Sequence, residues 1–264
     1  MTFEDSIQEL RNENLRLNKD LETVNGRLQK ILRQKDEFIS MAAHELRAPM
    51  TAIKGYISML LSGDGGELPD KARGYLLDAN SISERIIRLI NNMLNVSRIE
   101  EGRVTYQMKK GSLLTIAKQV YEQSRFEAQR KGLKYTLEAE SDINDLVFVD
   151  PDRLYEVVDN LVSNAIKYTN SGSVRITITN PSSKYVRFAV VDTGPGISAS
   201  EQKRLFRKFY RVKSTVGKTI GTGLGLYISK LLVARFDGSM GIESAINRGT
   251  TFWFELPLET NTIS

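Results

Sequence analysis

Cysteine is absent from this chain of 264 residues, which excludes disulfides and thiolate metal sites and suits a reducing cytoplasm. No apolar run approaches the roughly 20 residues needed to cross a bilayer, and Met1-Thr2-Phe3-Glu4-Asp5 has no basic-then-apolar leader, so no membrane segment is expected. Aromatic residues reach only 8% and do not interleave with a basic stripe, so nucleic-acid binding is not expected. The net charge of +5 and pI of about 9.2 permit an anionic partner, a role that a nucleotide fills as well as a nucleic acid. Histidine occurs once, at position 44, so any imidazole chemistry rests on that residue alone.

The length leaves room for two domains, and the pattern divides into three segments. In the first, about 1–35, Ile7, Leu10, Asn14, Leu17, Leu21, Val24, Leu28, Ile31, Lys35 and Phe38 alternate three and four apart. That is a heptad seam, and Asn14 at an a position favours a parallel dimer in one register. The plain alternative is a solvated single helix, but such a seam exposed on a monomer is costly, so a homodimer is expected.

The second segment, 36–101, reads as a helical hairpin. Its first helix continues through Phe38, Ala42, Leu46, Pro49, Ile53, Ile57 and Leu60, with two successive steps of four at 38–42–46 that unwind a coil locally. Ser62-Gly63-Asp64-Gly65-Gly66-Glu67-Leu68-Pro69 breaks it. Tyr75, Ala79, Ile82, Ile86, Leu89, Met93 and Val96 then mark a second helix. Two hairpins in a dimer close a four-helix bundle.

The third segment, 102–264, mixes elements. Helices are expected over 113–130, from the Asp150-Pro151 cap to Tyr168, and over 224–235, with strands over 135–138, 146–149, 174–179, 185–191 and 250–256. Without regular strand–helix alternation this predicts an α/β sandwich with helices on one sheet face.

Glycine clusters punctuate this segment: Asp192-Thr193-Gly194-Pro195-Gly196 after a strand, Gly221-Thr222-Gly223-Leu224-Gly225-Leu226 before a helix, and Arg248-Gly249-Thr250-Thr251-Phe252 before the last strand. Such turns offer backbone N–H groups to phosphate, although any one of them alone is more often just a turn. Gly221-x-Gly223-x-x-Leu226 lacks the last glycine of a dinucleotide fingerprint. Gly217-Lys218-Thr219 lacks the first glycine of a P-loop, its position being Val212. Asn160 and Asn164 share one helix face, with Lys167 and Tyr168 one turn on. They are either a solvated polar face or amide ligands for a hard cation such as Mg²⁺.

Asn160-Leu161-Val162-Ser163-Asn164-Ala165-Ile166-Lys167-Tyr168 resembles the N box of the histidine kinase ATP-binding domain. The Asp192–Gly196 and Gly221–Leu226 clusters resemble its two glycine boxes, and Leu205-Phe206-Arg207-Lys208-Phe209-Tyr210-Arg211 its F box. The resemblance implies a GHKL-type (Bergerat) sandwich in which Asp192 binds the adenine amino group and Tyr168 packs beside the base. It also implies that Asn160 and Asn164 hold Mg²⁺, that Lys167 contacts phosphate, and that residues 198–220 form a lid over ATP. Among the lid's cations, Arg211 is the one singled out.

Phe38-Ile39-Ser40-Met41-Ala42-Ala43-His44-Glu45-Leu46-Arg47-Ala48-Pro49 resembles the phospho-acceptor box of the same family, the two-component sensor histidine kinases. If Ala42 and Leu46 point inward, His44 lies about 200° and 160° around the helix from them and faces solvent. Pro49, inside the helix, suggests a kink that leaves the segment deformable. The resemblance implies autophosphorylation of His44, with Glu45 taking or orienting the other ring proton, and transfer onward to an aspartate of a response regulator receiver domain. Relatives that dephosphorylate their regulator carry Thr or Asn where this chain has Ala48, so weak phosphatase activity is expected.

Rivals remain. Gyrase-like, chaperone and mismatch-repair ATPases of the same fold need a glutamate base where this chain has Asn160. Anti-sigma serine kinases lack the histidine-bearing hairpin. A silent, nucleotide-binding dimeric scaffold would keep the boxes without the transfer.

Overall fold

The computed structural model describes residues 3–212 and 222–259, apart from the side chains of 4–10 and 36. The chain divides into two units, residues 1–97 and 98–264.

The first unit is helical. Helix α1 (Phe3–Ser62) runs unbroken through Pro49, and α2 begins after the glycine-rich turn and spans Asp70–Glu100. The sequence supports α1's length by its apolar seam, and the turn ends it because Gly63 and Gly66 adopt positive φ. The two helices meet through Ala43, Ile90 and Leu94, with Met50 and Met93 packed against them. Lys54 on α1 lies 3.0 Å from Glu84 on α2 and holds that carboxyl below the usual carboxylate range. Of the inward face expected for α1 in a two-hairpin bundle, Ile57 is already buried in the single chain. Ala43, not Ala42 or Leu46, is buried by the hairpin, while Phe38, Leu46 and Ile53 stay exposed. A heptad list merges two stripes: one faces the other arm of the hairpin, and the other remains open. Leu17, Leu21, Val24, Leu28 and Ile31 are likewise exposed on this single chain.

The second unit is the mixed α/β domain expected. Strand β1 (Lys109–Ser112) pairs antiparallel with β3 (Leu146–Val149). A five-stranded sheet has the order β2 (Lys134–Ala139), β4 (Ser173–Ser182), β5 (Tyr185–Asp192), β7 (Thr250–Pro257) and β6 (Ser239–Ser244). Only the β2–β4 pair is parallel. Alternate residues Val174, Ile176, Ile178, Val186, Phe188, Val190, Phe252, Phe254 and Leu256 fill the core, with Phe188 and Phe254 stacked at 5.1 Å. Burying each such side chain stabilises by about 1.5–3 kcal/mol.

Helices α3 (Leu113–Arg130), α4 (Pro151–Tyr168) and α6 (Gly225–Arg235) pack on the sheet and on each other, and α5 (Ala199–Gln202) is a single turn. Ser112 caps α3 by accepting from Thr115 N, and Asp150 caps α4 by accepting from Asp152 N and Arg153 N. Along α4, Leu154, Val157, Val158, Leu161, Val162, Ala165 and Ile166 form one buried stripe, which turns the Asn160 and Asn164 edge away from the core. Strands β1 and β6 were not expected from the sequence. Ser239-Met240-Gly241-Ile242-Glu243-Ser244 lacks clean alternation, and Gly241 is needed there because a Cβ would lie 2.4 Å from the Trp253 indole.

Candidate functional site

His44 sits on α1 with its side chain 78% exposed, as expected. Glu45 is equally exposed, its Oε1 3.7 Å from His44 Nδ1, beside the ring but too far for a hydrogen bond. Ala48, one turn on, is exposed and carries no polar atom. Among the described residues no group of three or more His, Cys, Asp or Glu side chains is arranged to hold a metal, so His44 has no partners of that kind.

The second unit gathers the remaining residues. Asp192 ends β5 opposite Thr250 at the start of β7, and both are buried. Its Oδ1 accepts from Gly194 N at 2.8 Å. Burial pushes the Asp192 carboxyl up, partly offset by backbone donors at Gly194 and Thr250. The third glycine cluster explains itself here: Gly249, at φ +84°, brings its Cα so close that a Cβ would lie 1.9 Å from the Asp192 carbonyl oxygen. Glycine is required there for the close approach to the Asp192 backbone. Gly196 is packed against the Ala245 carbonyl, and Asn247 N donates to Pro195 O at 2.7 Å, so the first glycine turn is clamped to the β6–β7 turn.

Beside Asp192, a Cβ on Gly194 would meet the Tyr168 carbonyl at 3.2 Å, which puts the end of α4 against the first glycine box. Lys167 Nζ lies 4.9 Å from the Tyr168 ring centroid. Lys131, at the end of α3, donates from Nζ to Ile166 O at 2.7 Å and Lys167 O at 2.9 Å. It thereby caps α4's open carbonyls with a positive charge. Asn164 Nδ2 donates to Asn160 Oδ1 at 3.2 Å, and Asn160 Nδ2 donates to Ser229 Oγ at 2.9 Å. Asn164 Oδ1 has no hydrogen-bond partner among the described residues, so of the two amides it is the one with an open oxygen.

Gly223, with Thr222 and the buried Leu224, lies over the F box: a Cβ there would stand 2.7 Å from Phe209 C. Thr222 Oγ1 accepts from Leu224 N at 3.3 Å. Gly225 opens α6 next to Asn160. Gly221 and the lid segment 213–221 lie outside the described residues. Of the cations in the described part of the lid, Lys208 pairs with Glu100, whose other oxygen accepts from Tyr227, and Arg204 lies over the Tyr210 ring. These two serve local structure. Arg211 is partly buried, its Nε fully so.

Sequence reading missed Ser229 and Lys131 as parts of this site. Ser229 carried one visible signal, a hydroxyl on the helix face that Ile228, Leu232 and Val233 make apolar. Lys131 carried none, because its role depends on α3 ending beside α4.

Residues 34–102 match the family described as His Kinase A (phospho-acceptor) domain, and residues 149–260 match Histidine kinase-, DNA gyrase B-, and HSP90-like ATPase. The chain is 32% identical over 249 residues to the signal transduction histidine-protein kinase BarA of Escherichia coli strain K12, covering 92% of this chain and 27% of that protein. It is 34% identical over 261 residues to the circadian input-output histidine kinase CikA of Synechococcus elongatus, covering 98% of this chain and 34% of the relative. The chain thus spans about a third or less of these relatives. Among solved structures, full-length ShkA in complex with AMPPNP aligns with a TM-score of 0.72 at 27% identity, covering 85% of this chain and 46% of that one. The catalytic domain of histidine kinase ThkA aligns at 0.50 and 28% identity, covering 58% of this chain and 98% of that one.

Proposed function

Because the chain belongs to the two-component sensor histidine kinases, we propose that it transfers the γ-phosphoryl group of Mg-bound ATP to His44 and then to an aspartate of a response regulator receiver domain. The observation that carries this reading is His44 itself, the sole histidine, exposed on α1 within the segment that matches the phospho-acceptor domain. Neutral imidazole is a competent nucleophile at pH 7. It attacks the γ-phosphorus in line, the bond to the bridging oxygen breaks, and ADP leaves with the electron pair. Glu45 lies on the Nδ1 side of the ring, which leaves Nε2 to attack while Glu45 attracts the proton at Nδ1.

Asp192 receives the adenine amino group, Tyr168 packs beside the base, and Lys167 and Arg211 contact phosphate. The glycines at 194, 196, 223 and 225, with Thr222 and Leu224, shape the walls, and Gly221 is proposed to bind the nucleotide with them. Mg²⁺, when bound, neutralises phosphate charge. The open oxygen of Asn164 fits it, since amide oxygens suit a hard cation, and Asn160 supports or shares that role. The working assembly is a homodimer joined along the exposed seam of α1 and the open stripe of the hairpin. Domain limits of 1–35 for the coiled coil, 36–101 for dimerisation and phosphotransfer and 102–264 for catalysis follow from this division of labour. We assign the activity to the cytoplasm, where ATP is available. Ala48 cannot orient water, so phosphatase activity is weak.

Intact-mass measurement at alkaline pH after incubation with Mg-ATP tests the reading. One phosphoryl group per chain on the wild type, absent from His44→Gln and Asn164→Ala, is expected. Wild type that binds ATP and acquires none would instead be the silent dimeric scaffold.

A further inference from the structure

Helix α6 is apolar along its packed side, with Ile228, Leu232 and Val233 in the core. Ser229 breaks that run and is itself 2% exposed. A buried hydroxyl is tolerated where it is hydrogen-bonded, and Ser229 Oγ accepts from Asn160 Nδ2 at 2.9 Å. With its nitrogen turned to Ser229, Asn160 presents Oδ1 to Asn164 Nδ2 at 3.2 Å. That bond in turn uses Asn164's nitrogen and leaves its oxygen without a hydrogen-bond partner among the described residues. The direction of this relay matters chemically. The same side chains with both amides reversed would present Asn164 Nδ2 outward, and an amide N–H₂ is a donor that cannot ligate a cation.

Gly225, four residues before Ser229 and on the same helix face, is the second constraint. A Cβ at 225 would lie 2.3 Å from Asn160 Oδ1 and 3.1 Å from its Cγ, so an alanine there would drive the amide from its place. Two positions on α6 are thus committed to one amide on α4.

We propose that Ser229 is a positioning residue for the Mg-nucleotide site, acting through Asn160 to hold the Asn164 amide oxygen toward the cation. The inference rests on the metal role proposed above for Asn164. Partners that orient a metal ligand typically change metal affinity by about 10–100-fold when removed. Ser229→Ala removes one oxygen and adds no volume, so the fold is retained, which thermal unfolding checks directly.

The test is the affinity of the full chain for a non-hydrolysable ATP analogue, measured by calorimetry with Mg²⁺ and with the metal chelated. Wild type binds more tightly with Mg²⁺. Ser229→Ala is expected to lose about 10-fold or more of that enhancement while its metal-free affinity stays at the wild-type value, and Ser229→Thr, which keeps the acceptor, restores it. A variant with full Mg²⁺ enhancement beside a responsive wild type overturns this inference alone. Equal weakening with and without metal overturns it too, by making Ser229 merely structural. A wild type indifferent to Mg²⁺ overturns the metal reading of Asn164 and this inference with it.

Discussion

Asp192 is a buried carboxylate whose burial opposes its own ionisation, and that sets two opposing dependences on pH. Its folded-state pKa lies above its unfolded value, so between the two the folded protein binds more protons than the unfolded chain. The contribution to stability is therefore fully present below the unfolded value and is lost as pH rises through the folded value. Asp192→Asn removes this penalty, so its melting temperature at neutral pH should equal or exceed that of wild type, with a flatter pH profile. Nucleotide binding runs the other way. The ionised carboxylate is the better acceptor for an adenine amino group, and wild-type affinity for an ATP analogue should fall on acidification sooner than an ordinary carboxylate would dictate. Asp192→Asn should weaken that affinity by about 10-fold or more, as expected when a hydrogen bond to a charged group is lost. Calorimetric titrations across pH check both, and wild-type affinity in the variant would refute the adenine role. Asn160 and Asn164 stood out in the sequence because asparagine is unusual inside a helix, and Asp192 stood out through the resemblance of its glycine turn to a family box. Ser229 and Lys131 were not, because their roles arise from contacts across 69 and 35 residues of chain.

At the scale of elements, α4 depends on its two ends. The Asp150-Pro151 start was readable as a local cap, whereas the C-terminal end is held by Lys131 from another helix. Lys131→Met should cost about 1–3 kcal/mol, lowering the melting temperature by about 2–4 °C per kcal/mol for a protein of this size. It should also weaken ATP-analogue binding, because Lys167 and Tyr168 lie in the freed turn. Thermal unfolding and calorimetry read the two effects, and an unchanged melting temperature would mean that the cap contributes nothing. The long periodic elements were legible for the same local reason as the Asp150 cap: α1, α3, α4, β4, β5 and β7 declare themselves by spacing. Strands β1 and β6 did not. Each is held by its partner, β3 or β7, more than by its own alternation, and Gly241 makes sense only under the Trp253 ring. The hairpin faces were half legible, because a heptad repeat gives the apolar positions and leaves open which partner each stripe meets.

For the whole molecule, α1 exposes an apolar seam on the single chain, which is costly. Leu17, Leu21, Val24, Leu28 and Ile31 all face solvent there. A parallel dimer removes that cost. Leu21→Asp combined with Leu28→Asp should shift the protein toward monomer in sedimentation equilibrium, with loss of helical signal from the N-terminal part of α1. A dimer of undiminished stability would show that the seam is not what joins the copies. Phosphoryl transfer to His44 is tested by incubating the purified protein with Mg²⁺ and γ-labelled ATP, beside His44→Gln, and then treating with acid. Wild type should carry label that acid removes and alkali spares, with none on the variant. Label that persists on His44→Gln, or that survives acid on the wild type, would contradict it.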